Sequence, residues 1–218
     1  MEILVVDANS DDRTVEFAQS AGARVLSRRW TNFVDARSFA LAQVTTPWAL
    51  MIDADEALDD VLCKAILAAG DDVDGYVVRR TTYFCGKALR LWRNEPLLRL
   101  FRRDRVRLQA QPAAGGDAIL HEGWVSTGTT RTLNGTLLHY SYPDVASYRA
   151  KYDRYTSLEA EHLAASPAKL FAAICRALAR FAWLLTARGA LLDGPRGWYV
   201  AYRSAMYPAV AMEKALLR

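Results

Sequence analysis

Residues 48–56 read WALMIDADE and decide the fold class, because a short apolar run ends abruptly in three acidic residues. Such a run, bounded by polar residues, predicts a buried strand that stops at Asp53. Residues 2–7, EILVVD, repeat the pattern and place Asp7 at the end of an earlier strand. Ligands of α/β sheets bind at the carboxyl ends of the strands, so we expect Asp7 and Asp53 to face one crevice.

The residues around these two runs alternate between helical and strand-like patterns. Helices are predicted at 14–21, 33–43 and 61–69, and a short strand at 24–26. This alternation predicts an α/β sheet. From residue 71 the pattern changes to strand-like runs at 75–83 and 97–101. Further short strands are predicted between glycines, namely Gly115, Gly116, Gly123, Gly128 and Gly135. We therefore predict one domain over residues 1–166, with a donor half at 1–70 and an α+β acceptor half at 71–166, followed by a tail at 167–218.

The composition indicates which disulfides, metals and binding surfaces are to be expected. The three cysteines, Cys63, Cys85 and Cys175, are widely spaced and form no CxxC pair, so neither a disulfide framework nor a zinc site is indicated. The formal net charge is +4, but residues 167–218 hold eight Lys and Arg against two Asp and Glu. The same segment contains seven aromatic residues. A basic, aromatic tail favours an anionic membrane surface over nucleic acid.

Asp53 and Asp55 are the strongest candidates for chemistry. Two aspartates spaced two apart at a strand end can both reach one Mg²⁺ or Mn²⁺ ion, which takes oxygen ligands together with phosphate oxygens. The alternative is structural, because Asp residues often cap the helix that follows a strand.

An ordered series of motifs resembles the family 2 glycosyltransferases, and among them the branch that acts in lipopolysaccharide core biosynthesis. The matching stretches are ILVVDANSDDRTVEFAQSAGARV (3–25), DARSFALAQVTTPWALMIDADEAL (35–58), YFCGKALR (83–90), LLRLFRRDRVRL (97–108), ILHEGW (119–124) and LLHYSY (137–142). The resemblance implies a GT-A fold, which is Rossmann-like, and inverting transfer of a hexose from a nucleotide-sugar, most simply a UDP-sugar. The acceptor would be a lipopolysaccharide core or another lipid-linked glycan.

The resemblance also implies roles for single residues. Asp7 would contact the nucleotide base or ribose, Arg37 would lie near the nucleotide, and Asp53 and Asp55 would bind the metal and the diphosphate. A turn-forming role for Asp7 and a solvated helix face for Arg37 remain open. Ser38 replaces the usual Asn after the arginine, and Ala8 and Asn9 stand where a Gly is usual.

Inverting transfer needs a base that deprotonates the acceptor hydroxyl. Glu122 is the candidate, Asp117 is the alternative, and His121 would orient the base or act as a further ligand. His139 fits a hydrogen-bonded packing residue better than a catalytic one. The arginines of residues 99–107 could bind phosphate or form the wet face of a strand.

The tail contains an amphipathic pattern at residues 168–188. One stripe holds Leu170, Ile174, Leu178, Phe181 and Leu185, and the opposite face holds Lys169, Arg176 and Arg180. Because no uncharged stretch approaches the ~20 residues that span a bilayer, we expect the tail to lie in the membrane interface. This predicts a cytoplasmic protein that is peripheral on the inner face of the cytoplasmic membrane. Packing of the tail on the protein's own core is the alternative.

Two other functions compete with sugar transfer. A phosphatase of the haloacid dehalogenase type fits poorly, because Glu56 and Ala57 do not continue its aspartate motif. A catalytically inactive relative that binds a membrane or a partner transferase remains open, since the resembling enzymes have a further strand and helix of about thirty residues before the VVD strand. We therefore expect this chain to be a fragment or mis-started, with weak donor binding or poor folding. Its sheet should show either a gap beside Ile3–Val6 or direct pairing of that strand with residues 49–52.

Overall fold

The donor half alternates strands and helices, as predicted. The computed structural model describes residues 2–113 and 116–218, with the backbone alone for 110–113 and 116–122. The elements of the first 70 residues are β1 (Leu4–Asp7), α1 (Thr14–Ser20), β2 (Arg24–Ser27), α2 (Phe33–Ala42), β3 (Trp48–Leu50), β4 (Glu56–Leu58) and α3 (Asp60–Leu67). The short strand β4, directly after the DAD sequence, was not predicted.

The remaining residues form long strands and then three helices. These elements are β5 (Gly75–Phe84), β6 (Lys87–Ala88), β7 (Glu95–Arg102), β8 (Val106–Ala113), β9 (Gly116–Ser126), β10 (Thr130–Tyr142), α4 (Val145–Ala160), α5 (Pro167–Thr186) and α6 (Gly194–Leu216). The expectation of short strands between glycines is wrong for Gly123 and Gly135, which lie inside β9 and β10. Gly135 has a φ of +101°, and a Cβ there would lie 2.3 Å from the backbone nitrogen of Leu62. It allows α3 to approach β10 closely.

Polar residues at the helix starts explain where four helices begin. Each side chain accepts a hydrogen bond from the backbone N–H three residues later, which satisfies one of the unpaired donors of the first turn. These N-cap residues are Asn32, Asp59, Asp144 and Ser166, for α2, α3, α4 and α5.

The strands form separate sheets. β1 and β2 make a parallel pair, β8 and β9 make an antiparallel pair, and the main sheet has the order β3-β7-β5-β10-β4, with β6 beside β5. β10 runs parallel to β5 and antiparallel to β4, whereas β7 is antiparallel to both β3 and β5. Within the described residues, β1 pairs with β2 alone and β3 with β7 alone. Of the two expected arrangements, direct pairing of β1 with residues 49–52 is therefore not found among the described residues, and the expectation of one sheet holding both acidic strand ends is wrong.

The C-terminal helices share a core with β5 and α4 of residues 71–166. Val200 and Ala201 of α6 are fully buried against Phe84 of β5 and Leu89, and Leu184 of α5 belongs to the same cluster. The predicted apolar stripe of α5 divides, since Phe181 and Leu185 pack on this core while Leu178 is 65% exposed. Core packing and an exposed apolar strip therefore occur on one helix.

No single helix among the described residues is long and apolar enough to cross a membrane. Residues 167–186 and 190–216 together meet the length and composition required, but the two helices are bent by 68°. The division of the chain at residue 166 stays a prediction.

Candidate active site

The segment 51–55, between β3 and β4, crosses from one edge of the main sheet to the other. β3 and β4 are the two outer strands of that sheet, with β7, β5 and β10 between them. The crossing is fixed at both ends by backbone hydrogen bonds, from Met51 N to Arg99 O at 2.8 Å and from Tyr140 N to Asp55 O at 2.8 Å. Asp53 and Asp55 are therefore carried past three strands, and Arg99 of β7 and His139 of β10 contact them.

Asp53 lies between two guanidinium groups. Nη2 of Arg99 donates to Asp53 Oδ2 at 2.9 Å, and Nη2 of Arg37, from α2, lies 3.3 Å from both carboxylate oxygens. Burial alone would raise the pKa of Asp53, but the positive charges of Arg99 and Arg37 hold it below its ordinary value of 3.8. Asp53 is therefore a carboxylate that orients two arginines.

Glu56 extends this network into the interior. Its side chain is 0% exposed and accepts from Arg99 Nη2 at 2.6 Å and from Arg80 Nη1 at 3.3 Å. Glu56 also accepts from the backbone N–H of Asp53 at 3.0 Å, which holds the turn closed. Arg80 is bound in addition by Glu95, at 2.8 Å. Three carboxylates thus face three guanidinium groups, an arrangement in which each buried charge has a partner.

Asp55 has different neighbours from Asp53. Nε2 of His139 lies 3.3 Å from Asp55 Oδ2, and Nδ1 of His139 lies 3.0 Å from Thr82 Oγ1. This contact with His139 lowers the pKa of Asp55 against the opposing effect of burial. The β4–β10 register pairs His139 with Glu56, and the β5–β10 register pairs His139 with Thr82. The sheet pairing therefore places the imidazole beside Asp55.

Asp7 caps its own turn. It is 6% exposed, and its carboxylate accepts from the backbone of Asn9 at 2.9 Å and of Ser10 at 3.1 Å. The hydrogen bond from the Ser10 hydroxyl is the main cause that lowers the pKa of Asp7. Asn9 has a φ of 67°, a conformation that Asn tolerates better than most residues, which explains how it replaces the usual Gly. The turn-forming alternative is thus present in the structure, and the nucleotide contact of Asp7 stays a prediction.

Helix α2 connects the two acidic strand ends. Its Asp35 forms a bidentate ion pair with Arg28, at 2.6 and 2.9 Å, and the backbone N–H of Arg28 donates to Asp7 O. Two residues along the same helix, Arg37 contacts Asp53. The separate β1–β2 pair is therefore tied through α2 to the main site.

The candidates for the base fall where side chains are not described. Glu122 and His121 belong to β9, opposite Ala110 and Gln111 of β8, and Asp117 lies near the start of β9. Their side chains lie outside the described part of the structure. Their roles stay predictions.

Several site residues were not assigned from the sequence. Glu56, Arg80 and Arg99 form the network, and His139, which the sequence indicated to be a packing residue, contacts Asp55. Arg99 is 5% exposed, so it does not belong to a wet strand face. The motif RLFRR singled out Arg99, but residue spacing could not identify its partners, Asp53 and Glu56, because they lie 46 and 43 residues away in the sequence.

The mixed α/β fold with its central sheet is that of a Rossmann-like glycosyltransferase of the GT-A type. Residues 1–125 match the model of glycosyl transferase family 2, and the chain belongs to that family.

Relatives of known sequence agree with this assignment. The chain is 33% identical over 174 residues to the lipopolysaccharide core biosynthesis glycosyltransferase LpsC of Rhizobium meliloti, covering 73% of this chain and 61% of that protein. It is 30% identical over 176 residues to an uncharacterised glycosyltransferase of Rickettsia typhi, covering 74% of this chain and 59% of that protein. The chain therefore spans about three fifths of the length of these relatives.

Proposed function

We propose that this protein transfers a sugar, with inversion, from a nucleotide-sugar to a lipopolysaccharide-core or other lipid-linked glycan, and that the donor is a UDP-sugar. The observation that supports the proposal is that the two aspartates of the DAD sequence have different partners. Asp53 binds arginines, and Asp55 contacts His139. Family membership and the name of the Rhizobium relative support the reaction class and the kind of acceptor.

The divalent cation that such enzymes generally use fits Asp55 and His139. If Nε2 of His139 carries the ring proton, it donates to Asp55. If Nδ1 carries the ring proton, it donates to Thr82 and leaves a lone pair on Nε2. A cation between Nε2 and Asp55 Oδ2 would then bind both atoms. Metal-binding histidines usually donate their other ring N–H to a hydrogen-bond acceptor, and Thr82 Oγ1 would be that acceptor here.

Two protein ligands are enough for this kind of site. The described residues contain no group of three or more His, Cys, Asp or Glu that could hold a metal. Mg²⁺ commonly takes one or two protein ligands together with phosphate oxygens and water, so the donor would complete the coordination. When bound, the cation would neutralise charge on the diphosphate leaving group. Asp53 fits this role less well, because a cation there would displace Arg37 and Arg99.

The protein's own charges would then position the donor. Arg37 offers a planar fork that matches phosphate oxygens, and Asp53 fixes its direction. Asp7, at the β1 end that α2 ties to this site, remains the candidate for contact with the base or ribose. We place the acceptor base at Glu122, with Asp117 as the alternative and His121 as its orienter. Support comes from Trp124, which packs on Phe101 near the start of the crossing segment.

A membrane surface is the proposed location, on the cytoplasmic face. Large apolar side chains are exposed along the C-terminal helices, among them Phe171 at 71%, Leu178 at 65% and Trp198 at 48%. Arg176 of α5 is exposed as well. Exposed apolar and aromatic side chains together with a net positive charge are the features of interfacial helices.

The donor site is tested by the melting temperature of the protein with UDP, GDP, ADP and CMP, each with and without Mn²⁺. A ligand that binds the native state alone raises that temperature. We expect UDP to raise the melting temperature and Mn²⁺ to increase this effect. Asp55→Ala should abolish the Mn²⁺-dependent part without unfolding the protein. The control Asp72→Ala, at an exposed surface ion pair with Arg131, should behave as the unmutated protein. Equal UDP affinity with and without Mn²⁺ would contradict the metal site. Failure of all four nucleotides to bind would favour an inactive relative.

A further inference from the structure

A cavity of about 270 Å³ is lined in part by His139, the residue that contacts Asp55. Thr82 and His139 lie on the side of the proposed metal site. The other residues that line the cavity are Arg80, Leu91, Trp92, Glu95, Tyr142 and Arg188, and the one carboxylate among them, Glu95, forms an ion pair with Arg80. We call it the Trp92–Arg188 cavity. Its volume lies just below the ~300–1,000 Å³ usual for ligand pockets, which suits one sugar ring better than a chain of sugars.

The cavity carries positive charge at two places. Arg80 is held by Glu95 and Glu56, so its charge is largely balanced. Arg188 is different. Its Nη2 donates to the backbone oxygen of Leu91 at 2.8 Å, and no Asp or Glu in the described part of the chain forms an ion pair with it. Arg188 therefore brings an uncompensated positive charge to the cavity.

Aromatic rings form one wall of the cavity. The rings of Trp92 and Tyr142 lie 5.4 Å apart with an angle of 31° between their planes. Lys151 Nζ lies 5.2 Å from the Tyr142 ring, so it is a third cation near the cavity, after Arg80 and Arg188. Aromatic rings beside polar and charged side chains match a pyranose, which has apolar C–H faces and a hydroxyl edge.

The contribution of Arg188 links the C-terminal segment to the site. Arg188 follows α5, and the neighbouring Leu184 is buried in the core that β5 and α4 share with α6. The packing of α5 and α6 on this core therefore places Arg188 at a cavity that His139 also lines. Attachment to a membrane does not require this arrangement.

We propose that the Trp92–Arg188 cavity binds an acceptor sugar that carries an acidic group, either a carboxylate or a phosphate. Arg188 binds the acidic group, Trp92 and Tyr142 pack against the ring, and the sugar is thereby held next to Asp55 and His139. The description of the ligand as an acceptor rests on the proposed function, whereas the binding of an acidic sugar at this cavity does not.

The test is a binding measurement by ligand-observed NMR without donor or metal. The probes are glucose, glucuronate and glucose 6-phosphate, and inorganic phosphate is the competitor that reveals binding of the anion alone. The proteins are the unmutated chain, Arg188→Gln, Trp92→Leu and a matched control, Arg131→Gln, whose guanidinium pairs with Asp72 at the far end of β10.

We expect at least one acidic sugar to bind about 10-fold or more tightly than glucose, because a hydrogen bond to a charged group contributes that much. Arg188→Gln should remove this preference, Trp92→Leu should weaken binding of all three sugars, and Arg131→Gln should change nothing. Preference for glucuronate identifies a carboxylate, and preference for glucose 6-phosphate identifies a phosphate. Added salt should weaken the preferred sugar more than glucose.

Equal binding of glucose and both acidic sugars would overturn the proposal, as would an acidic preference that survives Arg188→Gln. Absence of saturable binding by either acidic sugar would overturn it too. Inorganic phosphate that binds as well as glucose 6-phosphate would show an anion site without sugar recognition, which also contradicts it. If acidic sugars bind as expected while nucleotides fail to bind, the proposed donor site fails and the cavity assignment stands.

Discussion

Nε2 of His139 lies 3.3 Å from Oδ2 of Asp55, although the two residues belong to opposite halves of the chain. The antiparallel pairing of β4 with β10 produces this contact, because it sets His139 opposite Glu56 and holds Asp55 O against Tyr140 N. The same strand pairing places Thr82 on the other side of the imidazole. A histidine that the sequence assigns to packing is thus part of the candidate metal site.

Replacing Glu122 by Gln should leave donor binding nearly unchanged and reduce turnover by ~10² or more, the scale expected for loss of a general base. Steady-state transfer and UDP binding measured on the same preparation test this, with Asp117→Asn as the paired variant. Normal turnover of Glu122→Gln would assign the role to Asp117 or to another residue.

Glu56→Ala should destabilise the protein by about 3–5 kcal/mol, because it leaves the buried charge of Arg99 without a carboxylate on that side. Glu95→Ala is the matched control. Glu95 binds the same Arg80 as Glu56 but is 47% exposed, so its loss should cost about 1 kcal/mol or less. Urea denaturation gives both values. Equal losses would show that the buried network contributes no more than a surface pair.

The decrease in the free energy of unfolding at acidic pH should depend on Asp53 and Asp55. The folded pKa of each lies below the ordinary value of 3.8, so their contribution is complete above that value and is lost as the pH falls through the folded pKa. The double variant Asp53→Asn, Asp55→Asn should therefore lose less stability on acidification than the unmutated chain. Urea denaturation at several pH values measures the difference, and parallel curves for the two proteins would contradict it.

Membrane binding should depend on the exposed apolar side chains of α5. Deleting residues 167–218 is a poor test, because it removes Val200, Ala201 and Leu184 from the core that they share with Phe84. The double variant Phe171→Ser, Leu178→Ser changes the surface alone. Each side chain is worth about 1.5–3 kcal/mol on burial, so binding to phosphatidylglycerol vesicles should fall by about 10-fold or more.

The control for this measurement is Leu67→Ser, which removes an 84% exposed leucine from α3. Binding should also weaken with salt, since each Lys or Arg near an anionic surface contributes about 1 kcal/mol. Vesicle binding that responds neither to the α5 substitutions nor to salt would refute the proposed location.

The sequence by itself determined the helices of residues 1–70 and every strand there except β4. The apolar run before Asp7 marked the end of β1, and the run before Asp53 marked β3, although β3 ends at Leu50, three residues before Asp53. Helical periodicity marked α1, α2, α3 and α5, because these signals depend on neighbouring residues alone. The motif series identified the family for the same reason, since it is a property of residue order. The acidic pair and Arg37 were found in this way.

Tertiary structure decided how those elements meet. Strand pairing over long distances has no local signature, so the sequence did not show that β3 and β4 are opposite edges of one sheet. That arrangement brings Arg99, Arg80 and His139 from three different strands under residues 51–55 and gives Asp53 and Asp55 unlike partners. It also places Arg188 in a cavity beside His139, because α5 and α6 pack on the core of the acceptor half. Local sequence thus specified which side chains carry charge, and the sheet order specified which charges lie within contact distance.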